Sequence, residues 1–401
     1  MTCWLFYLLV YIVRVEPSVL SNCFMDEFKI TSSVYGFIVS IAYIPYIIMQ
    51  IPCGIIADKL GTKSVLISSC IFLTMGTFIF GAAGGVLQLE IGRFFIGLAS
   101  SAAFLCCIKM ATDCFEPKKQ GMMMGITMSM GCLGGITGTA PVAYLVNLVG
   151  WRIATYSMAC FGVLIGILAV VCMSNKSGKS GSSNTEIFKA LKLLVSNRNI
   201  WVLGFSGAMA YLPLSALAEL WIVPFIEKRF SISTEIAAAA SITIFIGYGI
   251  GSVFSPWVAQ KIASNKNTLI IGLSVAVCAF WTALFSDAVD FYACLGLLFV
   301  GSLCAASSML CFPMACSNVD AKYGGTASGV VNMLIMCSGL IFQPALGKLL
   351  DFFRGGLTTA EGLPIYTIET YRGAMRAFVI AMIFGLIITF FVSEKKTHTE
   401  K

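Results

Sequence analysis

Charge is what this chain has least of. Asp, Glu, Lys and Arg make up 11% of its 401 residues, against about 25% in an ordinary soluble chain. So little charge cannot clothe a water-facing surface, which excludes a soluble globular fold. Histidine is scarcer still: the single copy, His398, sits in a charged tail. Histidine-dependent triads and His/Cys metal centres therefore lack their parts. The aspartates at 58, 113, 287, 290, 320 and 351 all fall at the ends of apolar runs, so no paired-aspartate catalytic set is visible. The chain is read as not an enzyme, with no cofactor. No basic tract with interleaved aromatics accompanies the net charge of +7, and no nucleic-acid partner is expected. Sixteen cysteines are present, but none in Cys-x-x-Cys spacing. Scattered inside apolar runs, they read as small buried residues. No basic segment precedes the first apolar run, so it is expected to be retained rather than cleaved.

What the chain does have is apolar length. It is 58% hydrophobic, with a mean hydropathy of +0.90. Runs of about 20 residues recur throughout, the length a helix needs to cross the hydrocarbon core. Uninterrupted runs favour helices over barrel strands, which alternate every second residue. Twelve spans are predicted, near 4–23, 34–56, 64–83, 87–111, 121–145, 152–173, 200–224, 237–260, 267–286, 290–314, 325–350 and 371–393. The fold class is thus an all-α membrane protein with the lipid bilayer as its partner.

Between the sixth and seventh spans lies a Ser/Gly/Lys-rich linker. The predicted divisions are a six-helix bundle over 1–174, a cytoplasmic linker over 175–198 and a second bundle with a short tail over 199–401. Ile187, Leu191 and Leu194 fall at helical spacing in the linker, predicting a short surface helix. Loops after even-numbered spans, with the tail, hold about fifteen Lys and Arg, against about seven on the other side. The richer side, with both termini, is assigned to the cytoplasm of an inner-membrane protein. A shift of about 202 residues brings Ala57-Asp58-Lys59-Leu60 onto Ala259-Gln260-Lys261-Ile262, a faint repeat of the two halves.

Charge inside a span is costly, about 2.5–3.5 kcal/mol at the helix centre, so such residues are functional candidates. Tyr7, Tyr11, Arg14 and Ser18 share one face of span 1. Arg14 among hydroxyls suits a carboxylate or phosphate; alternatively it pairs with an acid on another span. Arg14 and Glu16, two residues apart, point in different directions. Tyr211, Ser215 and Glu219 repeat every four residues along span 7. Arg14 and Glu219 together would suit a zwitterion; Glu219 could instead carry the proton, or lie hydrated near the interface. The same face test adds Tyr43, Tyr46 and Gln50 on span 2, Ser241, Tyr248 and Ser252 on span 8, and Asn332, Met336, Gly339 and Gln343 on span 11. Each of these could equally glue helices together.

Gly54-Ile55-Ile56-Ala57-Asp58-Lys59-Leu60-Gly61-Thr62-Lys63, between spans 2 and 3, resembles the signature loop of the major facilitator superfamily. Gly92-Arg93-Phe94-Phe95-Ile96-Gly97 is similar to its span-4 motif, and Tyr-x-x-Arg-x-x-x-Ser to span 1 of facilitators that move organic anions and amino-acid-like solutes. The resemblance implies two pseudo-symmetric six-helix bundles rocking about a central site. It implies a proton-coupled importer of a small polar solute, either an amino-acid-like zwitterion or an organic anion. A drug exporter is the alternative, weakened because Thr139-Ala140-Pro141 replaces the exporters' Gly-Pro pair in glycine-rich span 5. A non-transporting membrane sensor is the remote one. Expected substrate contacts are Tyr11, Arg14, Tyr43, Gln50, Tyr211, Ser215, Glu219, Tyr248, Asn332 and Gln343. Glu16, Arg93 and Glu219 are assigned to proton coupling, with Glu16 as the partner of Arg93. Gly54, Asp58, Lys59, Gly61 and Lys63 form the expected gating loop, its charges pairing with the second half or a helix N-terminus. The protein is expected to act as a monomer.

Overall fold

The computed structural model describes residues 1–174, 192–320, 323–359 and 362–394. Most of the linker and its expected surface helix lie outside these residues. Helix accounts for 86% of the described residues, and no strand occurs among them.

Among the described residues, twelve helical segments are long and apolar enough to cross a membrane. Spans 1 to 6 are Thr2–Phe28, Ser32–Ala57, Thr62–Gly81, Val86–Ala111, Ile126–Val149 and Trp151–Cys172. Spans 7 to 12 are Arg198–Phe230, Thr234–Ile262, Asn265–Phe285, Phe291–Ser317, Gly324–Phe353 and Ile368–Thr389. Every predicted run is accounted for.

Several spans are not single helices, and proline marks each break. Proline removes one N–H and crowds the carbonyl four residues earlier. Span 1 breaks at Glu16, just before Pro17. Span 2 breaks at residues 41–42, ahead of Pro45. The fifth breaks at Gly138–Thr139 before Pro141. Span 10 tightens into a 3₁₀ turn at Ala306–Leu310, ahead of Pro313. Span 7 widens into a π-helix from Pro213 to Trp221.

The contacts group into two compact units. The first holds residues 1–181, 215–245 and 339–375, that is, the first six spans, the junction of spans 7 and 8 and that of spans 11 and 12. The second holds 182–214, 246–338 and 376–401.

Within the first unit, close backbone approach joins spans 2 and 11. A Cβ on Gly36 would meet the Gln343 carbonyl at 2.6 Å, and one on Gly347 would strike the Ser32 backbone. Above this seam the Asp351 carboxylate caps the start of span 2. Its Oδ2 accepts the Ser33 amide at 2.9 Å, and its Oδ1 accepts the Tyr366 hydroxyl at 2.5 Å. Tyr366 in turn accepts the Ser32 amide at 2.9 Å. Burial pushes the Tyr366 phenol up to about 12, with Asp351 adding to it, so it keeps the proton it donates. An acceptor at a helix start satisfies amides that have no partner inside the helix. At other span ends of this unit Asn22 donates to Glu227 at 3.1 Å, and Arg152 pairs with Glu27 at 2.5 Å.

Candidate solute site

The first unit buries a charge pair. Arg14 ends the first helix of span 1, and Glu219 sits in the π-helical stretch of span 7. Arg14 is 7% exposed and Glu219 0%. Arg14 Nε donates to Glu219 Oε2 at 3.0 Å. Arg14 Nη2 donates to the Tyr43 hydroxyl at 2.9 Å, and that hydroxyl donates to the same Oε2 at 2.5 Å. Tyr rings box the guanidinium, with centroids 4.8 Å away for Tyr43, 5.5 Å for Tyr11 and 5.9 Å for Tyr46. A cation held over aromatic faces and desolvated is attracted by their quadrupoles. Span 5 contributes its glycines here: a Cβ on Gly131 would lie 2.9 Å from the Tyr7 ring and 3.3 Å from that of Tyr11.

The π-helix explains part of the cluster. π-turns shift the backbone hydrogen bonding by one residue and recur at functional sites. The Ser215 carbonyl accepts Gln343 Nε2 at 2.8 Å and lies 3.5 Å from the Tyr43 hydroxyl. Trp221 Nε1 donates to the Gln343 carbonyl at 3.1 Å. The seam between spans 2 and 11 is therefore bonded to span 7 through side chains.

Six of the ten expected contacts, Tyr11, Arg14, Tyr43, Ser215, Glu219 and Gln343, come together in this unit. Gln50 is placed in it too, lower on span 2, with Oε1 buried and without a partner. Tyr211 and Tyr248 belong to the second unit, where their rings stand 5.8 Å apart and the Tyr248 and Ser308 hydroxyls lie 2.8 Å apart. Asn332 is also there, with Nδ2 buried and unpartnered. The expected single face Tyr211–Ser215–Glu219 is thus divided: Pro213 ends the α-helix between the first and second members. Full burial also removes the reading of Glu219 as a hydrated interfacial acid.

Glu16 and Arg93 do not pair directly. Glu16, 0% exposed, accepts the Thr155 hydroxyl on Oε1 at 2.5 Å, and its Oε2 has no partner. Arg93 instead donates Nη1 to the Val13 carbonyl and Nη2 to the Val39 carbonyl, each at 3.2 Å. These are acceptors that the bends of spans 1 and 2 set free. One turn along span 4, Gly97 lies directly against the Ala42 backbone at the span 2 bend.

In the loop after span 2, Gly61 takes φ +83° and joins spans 2 and 3. Lys63 Nζ donates to the Val170 carbonyl of span 6 at 2.8 Å, neither to the second half nor to a helix N-terminus as expected, because its stem reaches the end of the neighbouring span. Lys59 is exposed, and a Cβ on Gly54 would meet open space. The Asp58 side chain lies outside the described residues. Trp221, Thr155 and Ser308 were not anticipated. Trp221, two residues after Glu219, carried the only sequence signal among them.

Residues 3–344 match the Major Facilitator Superfamily. The chain belongs to that superfamily. Among curated relatives of this transporter is the "Probable sulfoacetate transporter SauU" of Cupriavidus necator, 24% identical over 86% of this chain and 85% of the relative. The "Hexuronate transporter" of Bacillus subtilis is 22% identical over 89% of each chain. The "Probable galactarate/D-glucarate transporter GarP" of Escherichia coli is 23% identical over 69% and 72%. Among solved structures, a bacterial homologue of the lysosomal transporter Spinster superposes with a TM-score of 0.78 at 16% identity, over 98% of this chain and 95% of that one. A D-xylose–proton symporter superposes at 0.74 and 15%, over 100% and 97%. The superfamily transporter thus has the facilitator fold, twelve spans and no assigned enzymatic role.

Proposed function

We propose that this facilitator imports a small organic anion, coupled to protons, by alternating access. The observation that carries the proposal is the buried Arg14–Glu219 pair bridged by Tyr43. A guanidinium fork is the side chain best shaped to hold a carboxylate or sulfonate, yet here Glu219 occupies it. Protonation of Glu219 would release the fork, and the solute anion would replace the carboxylate that left. Anion and proton would then travel together, and the buried charge would stay balanced. The names of the relatives, sulfoacetate, hexuronate and galactarate transporters, favour an anion over a zwitterion.

The junctions of spans 7 with 8 and 11 with 12 belong to the unit of the first six spans. With both termini cytoplasmic, as the distribution of Lys and Arg favours, those junctions lie outside, and the Asp351 cap closes the outer end. In this reading the chain divides functionally at the linker, into bundles over 1–174 and 199–401.

The test is uptake of labelled carboxylates and sulfonates into proteoliposomes, with and without an inward proton gradient. Gradient-dependent accumulation is expected. Efflux of hydrophobic cations with no anion movement would replace this reading with the exporter. Uptake of amino acids alone would replace it with the zwitterion.

A further inference from the structure

Two acceptor oxygens on residues of the Arg14–Tyr43–Glu219 cluster and its neighbour on span 11 are buried without any partner: Glu219 Oε1 and Gln343 Oε1. Their residues are 0% and 1% exposed. In each case the rest of the side chain is already tied. Glu219 Oε2 takes both Arg14 Nε and the Tyr43 hydroxyl. Gln343 Nε2 donates to the Ser215 carbonyl. That bond also fixes the amide's orientation, because only the nitrogen end can donate to a carbonyl, so the oxygen is the open end. Both side chains converge on one place: Tyr43, which bonds Glu219, lies 3.5 Å from the carbonyl that Gln343 holds.

Buried polar atoms are nearly always hydrogen-bonded, and an unfilled acceptor is unfavourable. A plain anion carries only acceptors. It can occupy the Arg14 fork, but it offers nothing to these two oxygens. The anions named for the relatives divide on this point. Sulfoacetate has no hydroxyl, whereas hexuronates and galactarate carry several. We infer that the solute is a hydroxylated carboxylate, whose acid group takes Arg14 once Glu219 is protonated and whose hydroxyl donates to Gln343 Oε1. Gln343 is then a specificity-determining residue. It rewards a hydroxyl and, when none arrives, stays unpaired. Protonation of Glu219 leaves the amide oxygen of Gln343 as the permanent acceptor. A neutral acceptor suits a hydroxyl, while an ammonium would compete with the proton for Glu219.

The inference rests on Arg14 as the anion anchor, and matched solutes separate the two claims. Galactarate and adipate are six-carbon dicarboxylates that differ only in hydroxyls; gluconate adds a hydroxylated single charge, and sulfoacetate a short hydroxyl-free double charge. Wild-type proteoliposomes under a proton gradient would be assayed for uptake of each, and for competition by the hydroxyl-free partner. Sites built to bond a hydroxyl reject analogues lacking it strongly, so discrimination of about a hundredfold or more is expected. Gln343→Leu and the closer isostere Gln343→Met should narrow that ratio by about tenfold or more, by weakening the hydroxylated solute and not the plain one. Adipate or sulfoacetate moving as well as galactarate or gluconate would overturn the hydroxyl inference and leave the anion reading standing. If serine or β-alanine accumulates while none of the four anions moves, both fail. Failure of all six solutes to move also overturns both.

Discussion

Arg93 Nη1 donates to the carbonyl oxygen of Val13, four residues before Pro17, at 3.2 Å. That carbonyl is the one whose helical donor the proline ring removes. Nη2 donates to the Val39 carbonyl, just ahead of the break in span 2, also at 3.2 Å. Arg93→Met should therefore leave two buried carbonyls unsatisfied, at about 1–3 kcal/mol each. A lower unfolding midpoint in detergent checks this, with Arg93→Lys falling between, since one ammonium cannot span both acceptors in the guanidinium's plane. If Arg93 served proton coupling alone, Arg93→Met would lose gradient dependence and keep its thermal midpoint.

Arg14→Lys retains the charge but not the fork. Uptake should fall by about tenfold or more, mainly through weaker solute binding. Glu219→Gln, which mimics the protonated acid, should keep solute exchange across the membrane and lose concentration against a gradient. Concentrative uptake by Glu219→Gln would remove that residue from the proton path.

The Asp351 cap should set how firmly the start of span 2 is held to the end of span 11. Asp351→Ala removes the acceptor of the Ser33 amide and the one that holds the Tyr366 hydroxyl, a loss of about 0.5–2 kcal/mol by comparison with other caps. Tyr366→Phe removes only the relay to Ser32 and should cost less. Spin-label distances between the start of span 2 and the end of span 11 should broaden towards longer values, most in Asp351→Ala. Unchanged distances in Asp351→Ala would show that the glycine seam holds alone.

Glycines of the span-2 loop should divide sharply. Gly61 stands at φ +83° and ψ 155°, a region open to glycine alone, so Gly61→Ala should cost about 1–3 kcal/mol. Gly54→Ala, with open space around it, should leave expression, midpoint and uptake unchanged. Equal effects from the two would assign Gly54 a role in another conformation.

The spans were legible because their signal is additive: each residue of Val86–Ala111 adds to one hydropathy sum. Arg14, Glu16, Arg93 and Glu219 were legible as candidates because a charge inside such a sum stands out. Their partners were not. Arg14 and Glu219 are 205 residues apart, and no local pattern joins them. Arg93 was expected to meet a carboxylate, yet its acceptors are backbone carbonyls, which every residue carries and no sequence marks. The prolines at 17, 45 and 141 were visible, but smoothing over twenty residues hides a break of two. The division at Pro213 had the same cause, and it sent Tyr211 and Glu219 to different units.

Arg93 also has a mechanical consequence. Bends at proline are ordinarily compliant, because the missing hydrogen bond leaves the two arms free to swing. By clamping the freed carbonyls of spans 1 and 2 from span 4, with Gly97 pressed against the same corner, Arg93 stiffens both bends into one bracket. Arg14 and Tyr43, carried on that bracket, would then keep their mutual spacing under the alternating access proposed above. The deformation must then be absorbed where no such clamp exists. The wide turns of Pro213–Trp221 are tied through the side chains of Tyr43, Gln343 and Trp221, and a π-turn can relax to an α-turn by giving up one residue of slack. A motion of that kind would carry Glu219 away from a stationary Arg14.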